Sequence, residues 1–131
     1  MPHFIVEYSG NLADEIDFQG FFAKIHTVLG NSGVFPLGGI RSRAIRMDTF
    51  RMADAKHDYA FIHITFKVGS GRDLATRKTV ADALFKEITE YFAPLQAKRL
   101  LALSFVMEEL NPDLNYKKNN IHAFLANEKA E

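Results

Sequence analysis

Tyr59-Ala60-Phe61-Ile62-His63-Ile64-Thr65-Phe66-Lys67-Val68-Gly69-Ser70-Gly71-Arg72-Asp73 is the run on which the fold turns. Ala60, Ile62, Ile64, Phe66 and Val68 recur at period two, which places them on one apolar face of a strand. Gly69-Ser70-Gly71 then turns the chain, and Asp73 is a residue of the type that caps a helix by accepting from first-turn amides. Val80, Leu84, Ile88 and Tyr91 supply the stripe of that helix. Pro94 is expected to stop it, because proline has no amide donor and crowds the preceding turn. Leu101, Leu103, Phe105 and Met107 alternate with Leu100, Ala102, Ser104 and Val106, predicting a strand that is apolar on both faces. The order is strand, helix, strand.

The first half repeats it. Phe4, Val6 and Tyr8 alternate with His3, Ile5 and Glu7, with Pro2 at the strand start, where a missing N–H is tolerated. Phe18, Phe21, Phe22, Ile25, Val28 and Leu29 share one helical stripe, with Asp17 as N-cap and Gly30 and Gly33 as stop signals. Ile40 to Phe50 interleaves β-favouring and polar residues, the pattern of a second strand. Ser9-Gly10 echoes Ser70-Gly71, and Phe21-Phe22-Ala23-Lys24-Ile25 echoes Leu84-Phe85-Lys86-Glu87-Ile88. Right-handed crossovers pair the strands of each unit in parallel under helices on one face. The expectation is a single α/β (α+β) two-layer domain over 1–131, built from a duplicated β-α-β unit (about 1–50 and 58–110) with a four-stranded sheet. The tail from Asn111-Pro112 to Glu131 is expected to hold a short helix through Ile121, Phe124 and Leu125, a stripe that calls for a partner surface. The sheet face without helices carries Tyr8, Phe61, His63 and one side of the Leu100 to Val106 strand. An apolar face of that kind is expected to be buried in an oligomer.

Sixteen basic residues balance sixteen acidic ones for a formal charge of +0. That excludes the basic footprint that nucleic acid or an anionic membrane requires. With no cysteine, disulfides, thiolate metal sites and thiol nucleophiles are excluded together. The start Met1-Pro2-His3-Phe4-Ile5-Val6-Glu7 has no basic n-region and breaks its apolar run at Glu7, so a cytoplasmic location is expected.

Pro2 is where chemistry is possible. Removal of Met1 would expose a secondary amine, and burial or nearby cations would lower its pKa from an ordinary value of about 8, making a base near neutral pH. A proline that merely opens a strand is the other reading. Arg41 and Arg43, at the head of a strand, and Arg72, at a strand-to-helix turn, have the planar forks that hold carboxylates and developing enolate charge. Solvated arginines are the bland alternative, with Arg43 and Arg46 the better fits to it. His3, His26, His57, His63 and His122 lack metal-ligand spacing and read as structural or exposed. Gly69-Ser70-Gly71 lacks a nucleotide-binding pattern and reads as a turn, Ser104 has no glycine elbow, and Glu108-Glu109 reads as a solvated strand end.

The runs Met1 to Glu7, Phe35-Pro36-Leu37, Gly39-Ile40-Arg41-Ser42-Arg43, His57-Asp58-Tyr59-Ala60-Phe61, Arg99 to Phe105 and Asn119-Asn120 resemble the tautomerase superfamily, and within it the 5-carboxymethyl-2-hydroxymuconate isomerase family. The resemblance implies a homotrimer of duplicated β-α-β chains, without metal or organic cofactor. It implies an isomerase of 4-hydroxyphenylacetate (homoprotocatechuate) breakdown that turns a polycarboxylate 2-hydroxymuconate dienol into its 2-oxo-3-ene isomer. It further implies Pro2 as the acid–base, Arg72 and Arg41 as catalytic partners, and Arg41, Arg43 and Arg72 as substrate-binding. Tyr8, Arg46, Phe50 and Arg51 depart from the family pattern and bear on substrate preference. Two alternatives keep the fold: a tautomerase of another 2-hydroxydienoate, or a non-catalytic anion-binding or surface-interaction protein.

Overall fold

In the computed structural model, residues 1–130 are described; Glu131, the end of the expected tail, lies outside them. Strand β1 (His3–Ser9), helix α1 (Phe18–Ser32), strand β2 (Arg41–Met47), strand β3 (Tyr59–Gly69), helix α2 (Leu74–Lys98), strand β4 (Leu100–Leu110) and helix α3 (Ile121–Ala130) follow in order. The sheet order is β2-β1-β3-β4. β1 pairs with β2 and β3 with β4 in parallel, while β1 and β3 are antiparallel at the centre. The two-layer α/β architecture with parallel pairing inside each unit is as expected from the repeated pattern, and the antiparallel seam makes the sheet mixed.

Both main helices start where an aspartate satisfies an amide that the helix leaves unpaired. Asp17 accepts from the Gly20 amide at 3.0 Å and Asp73 from the Thr76 amide at 2.8 Å. Gly33 ends α1 at φ 69°, a left-handed position that side chains avoid. The core lies between the helices and one face of the sheet. Phe4, Val6, Ile62, Ile64 and Phe66 from the strands meet Phe21, Ile25, Leu84 and Ile88 from the helices, all fully buried. Phe21 is the hub, with ring centroids 5.9 Å from Phe4 and 4.8 Å from Phe92. Truncating such a side chain costs about 3–5 kcal/mol.

Four expectations change. Pro94 lies inside α2, which runs on to Lys98. Burial of Phe92 and Leu95 against the core offsets the hydrogen bond lost at the proline. β2 covers only Arg41–Met47 of the expected Ile40 to Phe50. Tyr8 belongs to the helix-covered face, its ring 4.7 Å from Phe18, as its alternation with Phe4 and Val6 requires. Ser9 is the buried last residue of β1, whereas Ser70 lies beyond β3 and is exposed, so the two serine–glycine pairs are not equivalent in the structure.

The helix-free face is mixed in character. Ile45, Leu100 and Val106 are exposed there, with Phe61 half-buried, beside polar pairs such as His63 Nδ1 and Ser104 Oγ at 2.6 Å. The stripe on α3 is split: Leu125 packs toward Pro36 and Gly38 of its own chain, while Ile121 and Phe124 stay exposed. No helix among the described residues is long and apolar enough to cross a membrane.

Candidate active site

Antiparallel pairing of β1 with β3 decides where the site falls. His3 pairs with Lys67, so the chain start lies at the end of β3, beside the turn that carries Arg72. Parallel pairing on the other side sets His3 against Arg41, whose amide donates to the Pro2 carbonyl at 3.2 Å. Pro2 is buried. Residues separated by seventy positions in sequence thus share a pocket of about 340 Å³ with Phe35, Lys117, Asn119 and His122.

Arg72 is held from behind. Its guanidinium donates to the carbonyls of Gly69 at 3.2 Å and Val34 at 3.3 Å and lies 4.4 Å above the Phe35 ring. Carbonyls and an aromatic face orient the cation without neutralising it. Arg41 reaches the same end of the sheet from β2, its Nη2 donating to the Met1 sulfur at 3.0 Å. Among the described residues, Arg41, Arg72 and Lys117 form no ion pair, and no carboxylate lines the pocket. The electrostatic result is plain. Burial, then the charges of Lys117, Arg72 and Arg41, hold the N-terminal amine below its ordinary value of 8.0, because each opposes a further positive charge.

The structure brings Pro2 and Arg72 into the pocket and Arg41 to its edge, but it leaves Arg43 out. Arg43 is exposed on the helix-free face, with Nη1 3.1 Å from His3 Nδ1. Lys117, Asn119 and His122 join the pocket from the tail without having been expected there. His122, which read as structural or exposed, is exposed and yet lines the pocket. Its signal in the sequence was Gly38-Gly39: a Cβ on Gly38 would lie 3.0 Å from His122 Nδ1, and one on Gly39 would lie 3.5 Å from Pro2 Cδ. The tail closes onto the pocket through two residues that have no side chain.

An N-terminal nitrogen among unpaired cations is suited to moving protons on an anionic substrate. A family model described as 5-carboxymethyl-2-hydroxymuconate isomerase matches residues 2–125. The chain belongs to the 5-carboxymethyl-2-hydroxymuconate isomerase family. It is 54% identical over 123 residues to the 5-carboxymethyl-2-hydroxymuconate Delta-isomerase of Escherichia coli, covering 94% of this chain and 98% of that one. A crystal structure of a 5-carboxymethyl-2-hydroxymuconate isomerase from Deinococcus radiodurans superposes with a TM-score of 0.88 at 38% identity, over 95% of this chain and 93% of that one. A fused 4-OT described as a symmetric trimer shares the fold alone, with a TM-score of 0.63 at 12% identity over 88% of this chain and 93% of that one. Membership of this family makes the chain an isomerase acting on a small molecule and sets aside the non-catalytic reading.

Proposed function

We propose that the chain isomerises 5-carboxymethyl-2-hydroxymuconate, with the Pro2 nitrogen, freed by loss of Met1, as acid–base. The observation that carries this reading is a buried Pro2 at the chain start among three cations that have no ion-pair partner among the described residues. In the reaction the nitrogen takes the proton of the 2-hydroxyl, and the C2–O bond becomes a carbonyl as the diene electrons shift toward C5. The nitrogen then delivers a proton to C5, leaving a double bond between C3 and C4. One proton leaves and one returns, so no co-reactant is consumed. The cations that lower the pKa of the Met1 amine in this structure would favour the unprotonated form of a Pro2 amine exposed in its place, as the first transfer requires.

Arg72 and Arg41 supply the charge that the transition state needs. As the hydroxyl loses its proton, negative charge grows on O2 and the conjugated carboxylate, and a preoriented guanidinium gains interaction energy with it at that moment. Arg43, on the helix-free face, acts at most through His3 and not on substrate. A homotrimer in the cytoplasm completes the reading, supported by the exposed Ile45, Leu100 and Val106 of the helix-free face.

The test is the ultraviolet absorbance change of the dienol with protein whose N-terminus is either free Pro2 or extended by several residues, each checked by intact mass. Extension turns the amine into an amide. Turnover should fall by at least about 100-fold, the lower end of what a positioned acid–base contributes. Undiminished turnover by the extended chain would refute the assignment of Pro2.

A further inference from the structure

The segment between β4 and α3 has no regular structure after the short turn Pro112–Leu114, yet it is pinned. Asn119 Nδ2 donates to the Gly38 carbonyl at 2.9 Å and to the Met1 sulfur at 3.2 Å, while its Oδ1 accepts from the Ile121 amide at 2.7 Å. One side chain therefore ties the tail to the body and starts α3. His122 packs beside it, its Cα 3.2 Å from where a Gly38 Cβ would stand. This strap carries Lys117 to the pocket wall.

Arg41 arrives from β2, Arg72 from the turn after β3 and Lys117 from the strap, three cations on three separate elements. The substrate proposed above has three carboxylates, two on the muconate chain and one on the carboxymethyl arm. A dienol with only two would leave one cation unmatched. Arg72 and Lys117 line the pocket from different elements, and Arg41 stands at its edge beside Met1, an arrangement suited to separate anionic groups rather than one.

We propose that Lys117, carried by the tail strap, is a specificity-determining residue that holds the third carboxylate of the substrate, the group that a dicarboxylate dienol lacks. This rests on the reading of Pro2 and of the tricarboxylate substrate given above. Asn119 and His122 are positioning residues that fix the strap, and Gly38 is the seat that lets it close.

The experiment compares kcat/KM for 5-carboxymethyl-2-hydroxymuconate and for 2-hydroxymuconate, which lacks the carboxymethyl arm, using full-length protein with free Pro2. Lys117→Met should lower the ratio of the two by at least about tenfold, the lower end of what a hydrogen bond to a charged group contributes, chiefly through KM. Gly38→Ala, which pushes the strap outward without touching Lys117, should lower the ratio in the same direction. Lys118→Met, whose side chain does not line the pocket, should leave it unchanged. Equal losses on both dienols with Lys117→Met, or no loss on either, would overturn the proposal, as would an unchanged ratio with Gly38→Ala. Failure of the Pro2 reading looks different: the N-terminally extended protein would turn over both dienols at the rate of the processed one.

Discussion

At one end of the sheet, β1 begins after Pro2, beside the turn that carries Arg72; at the other, β3 begins after Asp58, beside Asn11 at the end of β1. Each end has an arginine at the head of its outer strand, Arg41 as the first residue of β2 and Arg99 just before β4. Arg99 is fully engaged. It pairs with Glu15, with Asp58 at 3.0 Å and with the Asn11 carbonyl at 3.2 Å, its side chain only 13% exposed. Asn11 closes the group further by donating to Asp58 at 2.9 Å and to the Tyr59 carbonyl at 2.8 Å. Arg41, by contrast, meets a thioether and, among the described residues, no carboxylate. The same β-α-β architecture thus closes its charges at one end and leaves them unmatched at the other. The difference is set by what starts the strand: an internal carboxylate at Asp58, or a chain start that has no side-chain anion to offer.

The widest split between the ends should come from arginine truncation. Arg72→Ala and Arg41→Ala should each reduce kcat/KM by at least about tenfold, since hydrogen bonds to charged groups are worth roughly 1.5–3 kcal/mol and each 1.36 kcal/mol is tenfold in rate. Arg99→Ala should leave kcat/KM within a small factor of wild type and instead lower stability by about 1–2 kcal/mol in a denaturant titration. Light scattering on every variant must return the mass of the wild-type protein, so that lost assembly is not mistaken for lost chemistry. A catalytic loss from Arg99→Ala equal to that from Arg72→Ala would erase the contrast.

A smaller effect sharpens it. If Pro2 is the base proposed above, it acts only when unprotonated, so kcat/KM should fall as pH falls through its pKa, with that limb centred below the ordinary α-amino value of about 8. Lys117 is one of the cations that lower the Met1 amine in this structure, so Lys117→Met should move the limb of a mature Pro2 amine to higher pH. A profile that stays in place would mean that the cations do not reach the nitrogen.

What could be read without coordinates was whatever repeats along the chain. Alternation in Ala60 to Val68, the two aspartate caps and the shared strand-helix-strand order sufficed for the sheet and its helices, because period and capping are local. Pro2 and Arg72 drew notice through chemistry and resemblance, while their meeting depends on an antiparallel pairing that no local pattern states. Lys117, Asn119 and His122 were missed as pocket residues because the strap has no period and Asn119-Asn120 marked only the resemblance; the strap is placed by contact with glycines eighty residues away. Pro94 misled for the opposite reason. Its local signal was strong, and burial of Phe92 and Leu95 outweighed it.

The smallest expected effect concerns His3, the neighbour of Pro2. Burial, then Arg43, Arg41, the N-terminus and Lys67, depress its pKa below 6.5, so the folded state resists a proton that the unfolded chain accepts. Stability from this source is complete above pH about 6.5 and is lost as pH falls through the unfolded value toward the folded one. His3→Gln should flatten that part of a stability–pH curve, read by denaturant midpoints between pH 7 and 5. An unchanged slope would show that the crowding of positive charge at this end does not extend to His3.

Arg41 and Asn119 both donate to the sulfur of Met1, and this has a consequence for how the protein is handled. A chain that keeps its initiator folds with the thioether satisfied, so circular dichroism, melting and gel filtration would not distinguish it from the mature form. Only the amine differs, as an amide nitrogen in one and a free base in the other. If Pro2 is the base proposed above, specific activity measures the degree of maturation. Preparations made faster than the host aminopeptidase trims them would show lower kcat at unchanged KM, and titration of free Pro2 by a stoichiometric covalent inhibitor would recover one common turnover number per mature N-terminus.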